Sequence, residues 1–205
     1  MIKYFPLLLL SIPLLACAEE NQESKTSALE KQIEIIQSGK SDRSHRDYWH
    51  ALLKWSDECE SDFQYPPSVS GIDIYPEHIK HYIIQVMCTF GSNQGRQQFY
   101  FLSLENNKAV VKSMQFPVYE IITGQAHKKE TTNELWGSVL NNSSYNKFIL
   151  LNQYSGYGHC GTLTTYQIIN GLVSATTLRA QPDCELENAS RDAEQWKEYK
   201  IPVIK

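Results

Sequence analysis

Two hydrophobic periods divide the chain. Between Ser27 and Asp57 apolar residues recur every three or four positions, as they do on one side of a helix. Leu29, Ile33 and Ile36 share a face, Ser27 and Glu30 form a capping box that opens the helix, and Gly39 is placed to stop it. A second helix is expected from about Arg43 to Asp57, where Tyr48, Leu52 and Trp55, flanked by Trp49 and Leu53, make a broad apolar stripe. An apolar helix face of this kind is usually core rather than partner surface.

From Ile72 onward the period is two. Tyr82, Ile84, Val86, Cys88 and Phe90 alternate on one strand face, and further strands are expected over Gln97 to Leu104, Ala109 to Phe116 and Leu135 to Leu140. The pattern returns at Phe148 to Tyr154, Leu163 to Ile169, Val173 to Arg179 and near Trp196 to Val203. Asn170-Gly171 predicts a two-residue hairpin turn, because both positions tolerate positive φ. Asn106-Asn107 stands in the matching place about 64 residues earlier, which suggests two four-stranded halves ending near Trp136 and Trp196. The polar residues 123–133 read as a mobile loop. The expected fold is mainly β with amino-terminal helices (α+β): an antiparallel meander of about eight strands, packed like a sandwich or as two propeller-like blades. Residues 28–60 form its helical segment and 61–205 its β domain.

The first residues follow neither period. Lys3 is followed by an apolar core from Leu7 to Leu15, interrupted by Pro13 and too short to span a membrane. The run Leu14-Leu15-Ala16-Cys17 resembles the bacterial lipobox. That resemblance implies a signal peptide over residues 1–16, cleavage before Cys17, and acylation of its sulfur and new amino terminus. Several acyl chains, at about 0.8 kcal/mol per buried methylene, hold a protein on a membrane durably. Residues 17–27 would then be the acylated cysteine and a flexible tether with a reach of about 15–20 Å. Ala18, rather than Asp, after the cysteine points to the outer membrane, with the folded part facing the periplasm.

Cysteine usage agrees with export. Beyond Cys17 there are four, Cys59, Cys88, Cys160 and Cys184, an even number that implies two disulfides in one of three pairings. Cys59–Cys88 with Cys160–Cys184 closes the shorter loops and is the favoured pairing. Zinc is disfavoured, since no Cys-x-x-Cys or Cys-x-x-His spacing occurs. The chain carries 19 basic and 23 acidic residues, a formal charge of −4, and no basic run. Nucleic acid and anionic lipid headgroups are therefore poor partners. Twelve tyrosines suit a sheet-rich core and could supply an exposed binding face.

Candidate chemistry is sparse. Gly156-Tyr157-Gly158-His159-Cys160-Gly161 has the letters of a dinucleotide fingerprint, but Thr162, Thr164, Thr165, Tyr166 and Ile168 follow with strand character. A pyrophosphate loop needs a helix amino terminus there. His159 beside Cys160 does not make a nucleophile and base, because neighbours in a strand point to opposite faces. His78 and His81 have helical ligand spacing in a strand-like segment, where such a pair diverges, and no third ligand accompanies them. Asp57, Glu58, Glu60 and Asp62 lack the glycine-centred pattern of a calcium loop and read as a solvated acidic turn. No metal, cofactor or catalytic residue is assigned.

Several segments resemble a known family. Trp55-x-x-x-Cys59, Gly71-Ile72-Asp73-Ile74-Tyr75-Pro76, Val86-x-Cys88 with Gly91, and Gln94-Gly95 before Phe99-Tyr100 are similar to the uncharacterised bacterial family called domain of unknown function 1176. Gly158-His159-Cys160-Gly161, Tyr166, Pro182-Asp183-Cys184 and Trp196 fit its carboxy-terminal half. The resemblance spans roughly Trp55 to Pro202 and implies an envelope protein with paired cysteines, and no known reaction.

The expected function is a non-enzymatic binding module for a periplasmic protein or glycan. Its candidate contacts lie in two aromatic and glycine-rich loops: Gly91, Asn93, Gln94 and Arg96 in one, Tyr154, Tyr157 and His159 in the other. The alternatives are an envelope-polymer hydrolase using Asp183 or the Asp57–Asp62 carboxylates, and a protein resembling lysozyme inhibitors.

Overall fold

The structure, a computed structural model, describes residues 16–90, 94–105, 108–140, 146–154, 159–186 and 190–202, with side chains from Ser27 onward and without that of Phe90. The fold is the expected one, a mostly antiparallel β protein with helices near its amino terminus and two disulfides.

Helix α1 spans Ala16–Gln37. Its backbone is helical from Ala16, so residues 17–27, expected as a tether, run as its first turns, and Ser27 is interior rather than a cap. Glu19, Glu20, Gln22, Glu23 and Lys25 are good helix formers, which favours this continuation. Leu29, Ile33 and Ile36 are buried on one face, and Gly39, at φ +68°, ends the helix. Helix α2 (Arg43–Leu53) opens on Asp42, whose carboxylate accepts from the backbone N–H groups of Ser44 and His45. The helix expected to run to Asp57 ends at Leu53. Lys54 turns left-handed at φ +55°, and Ser56 caps a short helix α3 (Asp57–Ser61) by accepting from the Cys59 N–H.

Eleven strands follow among the described residues, against about eight expected. β1 (Ile72–His78), β2 (His81–Phe90), β3 (Gly95–Glu105) and β4 (Lys108–Ser113) form a meander, with Pro76 confined to the edge strand β1. β7 (Glu134–Leu140), β8 (Lys147–Gln153), β9 (Gly161–Ile169), β10 (Leu172–Gln181) and β11 (Lys197–Tyr199) form the second half. β7 does not close the first half. It pairs with both β3 and β8, so the halves merge into one nine-stranded sheet. One edge of β3 is thereby divided: Tyr100–Glu105 pair with β4, and Gly95–Gln98 with β7.

Residues 123–133, expected as a mobile loop, belong to a second sheet, the hairpin of β5 (Phe116–Ile122) and β6 (Gln125–Thr132). Thr123 and Gly124 turn it with φ of +47° and +77°. β6 is almost entirely polar and largely exposed, so it carries no alternation from which a strand could be recognised.

Two cores result. β2 and β3 send Ile84, Val86, Cys88, Tyr100, Leu102 and Leu104 toward the helices, where they meet Leu29, Ile33, Trp49 and Trp55. Their alternate residues, Ile83, Phe99 and Phe101, point the other way, onto Phe116, Leu135, Phe148 and Tyr166. Phe99 and Phe148 meet edge to face at 4.8 Å, as do Phe116 and Tyr166 at 5.2 Å. β3 lies between the two cores and is buried along nearly its whole length. Cys59–Cys88 pins α3 to β2, and Cys160–Cys184 pins the start of β9 to the segment after β10. Closing loops of this size stabilises a fold by about 3–4 kcal/mol per bridge in the chain-entropy view.

Candidate functional site at the loop end of the sheet

The antiparallel register brings the end of β2 and the start of β3 together with the start of β7, the end of β8 and the start of β9. The two loops expected to bind a partner therefore lie at the same end of the molecule. Gly91, Asn93 and Tyr157 lie outside the described residues, as does the side chain of Cys17. Gln94, Arg96, Tyr154 and His159 are described.

Gln94 joins the loops. Its amide Nε2 donates to the Gln153 carbonyl at 3.0 Å, and its Oε1 accepts from the Gln153 N–H at 3.1 Å. A side chain thus supplies what a neighbouring strand's peptide would. One residue later, the Tyr154 N–H donates to the Cys160 carbonyl, and His159 Nε2 lies 2.6 Å from the Cys184 carbonyl. The second loop is held on the disulfide.

Arg96 supplies the charge. Its side chain is nearly buried, with Nη2 2.6 Å from Asp62 and 3.3 Å from the Glu58 carbonyl, and Nη1 3.5 Å from Glu134. Gln98, two residues on and facing the same way, donates to Glu134 and Ser56 and accepts from the Tyr100 hydroxyl at 2.8 Å. Burial first, and the Glu134 carboxylate second, push the Tyr100 phenol up to about 12, so it serves as a neutral donor. Arg96 is the register partner of Trp136, whose ring is 52% exposed beside this cluster. Sequence pattern did not single out Trp136 as a contact. The signal for it was its place in β7, where Leu135 faces the core and the next residue, an indole, falls on the exposed face.

Tyr154 does not join Trp136 in one aromatic platform. Phe148 and Leu150 fix the even positions of β8 toward the second core, and Tyr154 continues that side, where burial raises its phenol and Thr162 and Glu120 act on it. Trp136 lies on the opposite face.

The other candidates are accounted for structurally. In the acidic cluster, Asp62 binds Arg96, while Glu60 takes Arg43 at 2.6 Å, Arg46 at 2.8 Å and the Trp55 indole N–H at 3.0 Å. These two carboxylates hold α2 and α3 in place. Asp183 caps its own turn by accepting from the Glu185 N–H. Gly161 opens a strand, not a helix. His78 and His81, expected to diverge, are cross-strand partners across a two-residue turn, with ring centroids 6.1 Å apart. Among the described residues no group of three or more His, Cys, Asp or Glu is arranged to hold a metal, and no helix is long and apolar enough to cross a membrane. A groove of about 440 Å³ between the β5–β6 hairpin and β10 has Lys128 as the one charged residue among the described ones that line it.

No family model matches the chain, and no curated protein or solved structure is detectably similar to it.

Proposed function

We propose that the protein is an envelope lipoprotein, anchored through acylated Cys17 on the outer membrane and facing the periplasm, whose loop end binds a glycan strand without altering it. The disulfides are compatible with an oxidising compartment. One observation carries the binding assignment. Gln94 clasps the start of β3 to the end of β8, and the exposed Trp136 stands beside this junction with Arg96, Asp62 and Glu134.

A sugar ring offers an apolar C–H face and a rim of hydroxyls. An exposed indole stacks on the first, and fixed carboxylates, amides and a guanidinium meet the second. The guanidinium of Arg96 is engaged by both carboxylates, and the nearby cysteines are locked in a disulfide, an arrangement suited to holding a ligand rather than breaking it.

Co-sedimentation of the full chain with purified cell-wall sacculi tests this. Binding is expected for the wild type, with at least about a tenfold loss for Trp136→Ala at unchanged circular dichroism, as for an interface hot spot. Equal binding by both would sink the assignment. Palmitate labelling of cells, lost on Cys17→Ser, tests the anchor.

A further inference from the structure

The end of the sheet opposite the loops has its own pattern. The β1–β2 and β9–β10 turns lie there, with the end of β3 and the start of β8 beside them. Leu104 N–H donates to the Lys80 carbonyl, Ile168 N–H to the Asn146 carbonyl, and Asn170 N–H to the Glu77 carboxylate at 3.2 Å. The last bond spans the two halves of the chain. Gly171 sits so close to Phe101 that an added Cβ would come within 2.6 Å of its ring.

Turns of this kind normally carry Asn, Asp or Gly. Here Ile79 occupies the turn between β1 and β2 and is 80% exposed. Leu172 and Ile169, at 77% and 53%, flank Asn170-Gly171. Neither turn geometry nor the core requires these three exposed apolar side chains. Lys80, Lys108 and Lys147 are exposed at the same end, whereas the Glu77 carboxylate is turned inward and accepts from the Asn170 N–H, leaving Glu105 as the exposed carboxylate among the described residues flanking these turns. In a chain of net −4 this end is locally basic. The lysines come from three separate stretches of the chain, so no basic run announces them in the sequence.

The course of α1 points the same way. Its end at Gly39 and Ser41 lies against Ser70 and the start of β1, at the loop end, and it packs along β1 and β4. Ala16 therefore points toward the turn end, and Cys17 with it. This last point rests on the acylation proposed above, whereas the apolar tips and lysines do not.

We propose that the β1–β2 and β9–β10 turns dock on a lipid surface, with Ile79, Ile169 and Leu172 entering the acyl boundary and the lysines meeting anionic headgroups. The opposite, loop end then faces away from that membrane.

The full chain carrying Leu172→Trp, reconstituted in vesicles of phosphatidylglycerol and acyl-brominated phosphatidylcholine, tests the docking. The introduced indole should shift to the blue and be quenched by bromine, while the wild type, whose exposed Trp136 is at the far end, should not. Adding Ile79→Asp and Ile169→Asp should abolish the quenching. An introduced indole that stays unquenched and emits as in water overturns the proposal. So does quenching that survives the two aspartates, because the anchor alone would then explain it, and so does a blue shift that needs no lipid, which would mark a protein contact. Palmitate labelling of the same protein separates the two readings. Label without tip quenching leaves the anchor and removes the docking; quenching without label does the reverse.

Discussion

The side-chain amide of Gln94 and the backbone of Gln153 form a two-point hydrogen bond across 59 residues of sequence. It fastens the edge of the first half of the sheet to the last residue of β8. Gln94→Ala should cost about 1 kcal/mol, since net hydrogen-bond contributions are of that order. Its local effect should be larger: amide exchange at Gln153 and Tyr154 should accelerate while β3 stays protected. Unchanged exchange there would mean that the loops are held by something other than this clasp.

Arg46 is fully buried between the rings of Trp55 and Phe63, 4.8 and 3.7 Å from their centroids. Its charge is met by Glu60, and its Nη1 by the Ser70 carbonyl. Removing Glu60 strands a buried cation, so Glu60→Ala should destabilise the fold by about 3–5 kcal/mol. Replacing Arg46 and Glu60 together with Met and Leu should cost clearly less. Urea midpoints of the single and double variants decide it.

Gly161, at φ +150°, leaves no room for a side chain, because a Cβ would lie 2.1 Å from the Asn152 carbonyl oxygen. Gly161→Ala should therefore be far worse than Gly124→Ala, where nothing stands within 4 Å and the main cost is the positive φ of the turn. Thermal melts of the two variants compare them directly.

Asp42 gives a pH dependence of known sign. Hydrogen bonds from Ser44 first, and His45 next, hold its carboxyl at about 2, below the ordinary 3.8. A depressed native pKa contributes stability that is complete above the unfolded value and is lost as pH falls through the folded one. The loss should run from about pH 4 to pH 2, and Asp42→Ala should flatten that part of the profile while weakening α2 at neutral pH. Identical acid profiles for wild type and variant would refute this assignment.

The elements most legible in the sequence are those with one wet and one dry face. Leu29, Ile33 and Ile36 mark α1, and the alternation from Tyr82 to Phe90 marks β2, because burial on one side imposes a period. The cysteine pairing was legible too, since Cys59–Cys88 and Cys160–Cys184 close the shortest loops. β6 was not, because its residues face water on both sides and need no alternation. Both loops of the candidate site could be named, yet not their meeting through Gln94 and Gln153, which follows from register rather than from any local pattern. Arg96 stood in a candidate loop, but its partners Asp62 and Glu134 come from a helix and a strand far along the chain. The same holds for the lysines of the turn end, which only the sheet gathers.

The divided edge of β3 bears on how the chain tolerates being cut. Among the described residues Gly95–Gln98 pair with β7 alone on that side, so a product ending before Glu134 would expose a short row of open peptide groups next to Phe99. Such a fragment is a template for pairing with other chains, and proteolytic nicking ahead of β7 should yield aggregates rather than a stable half.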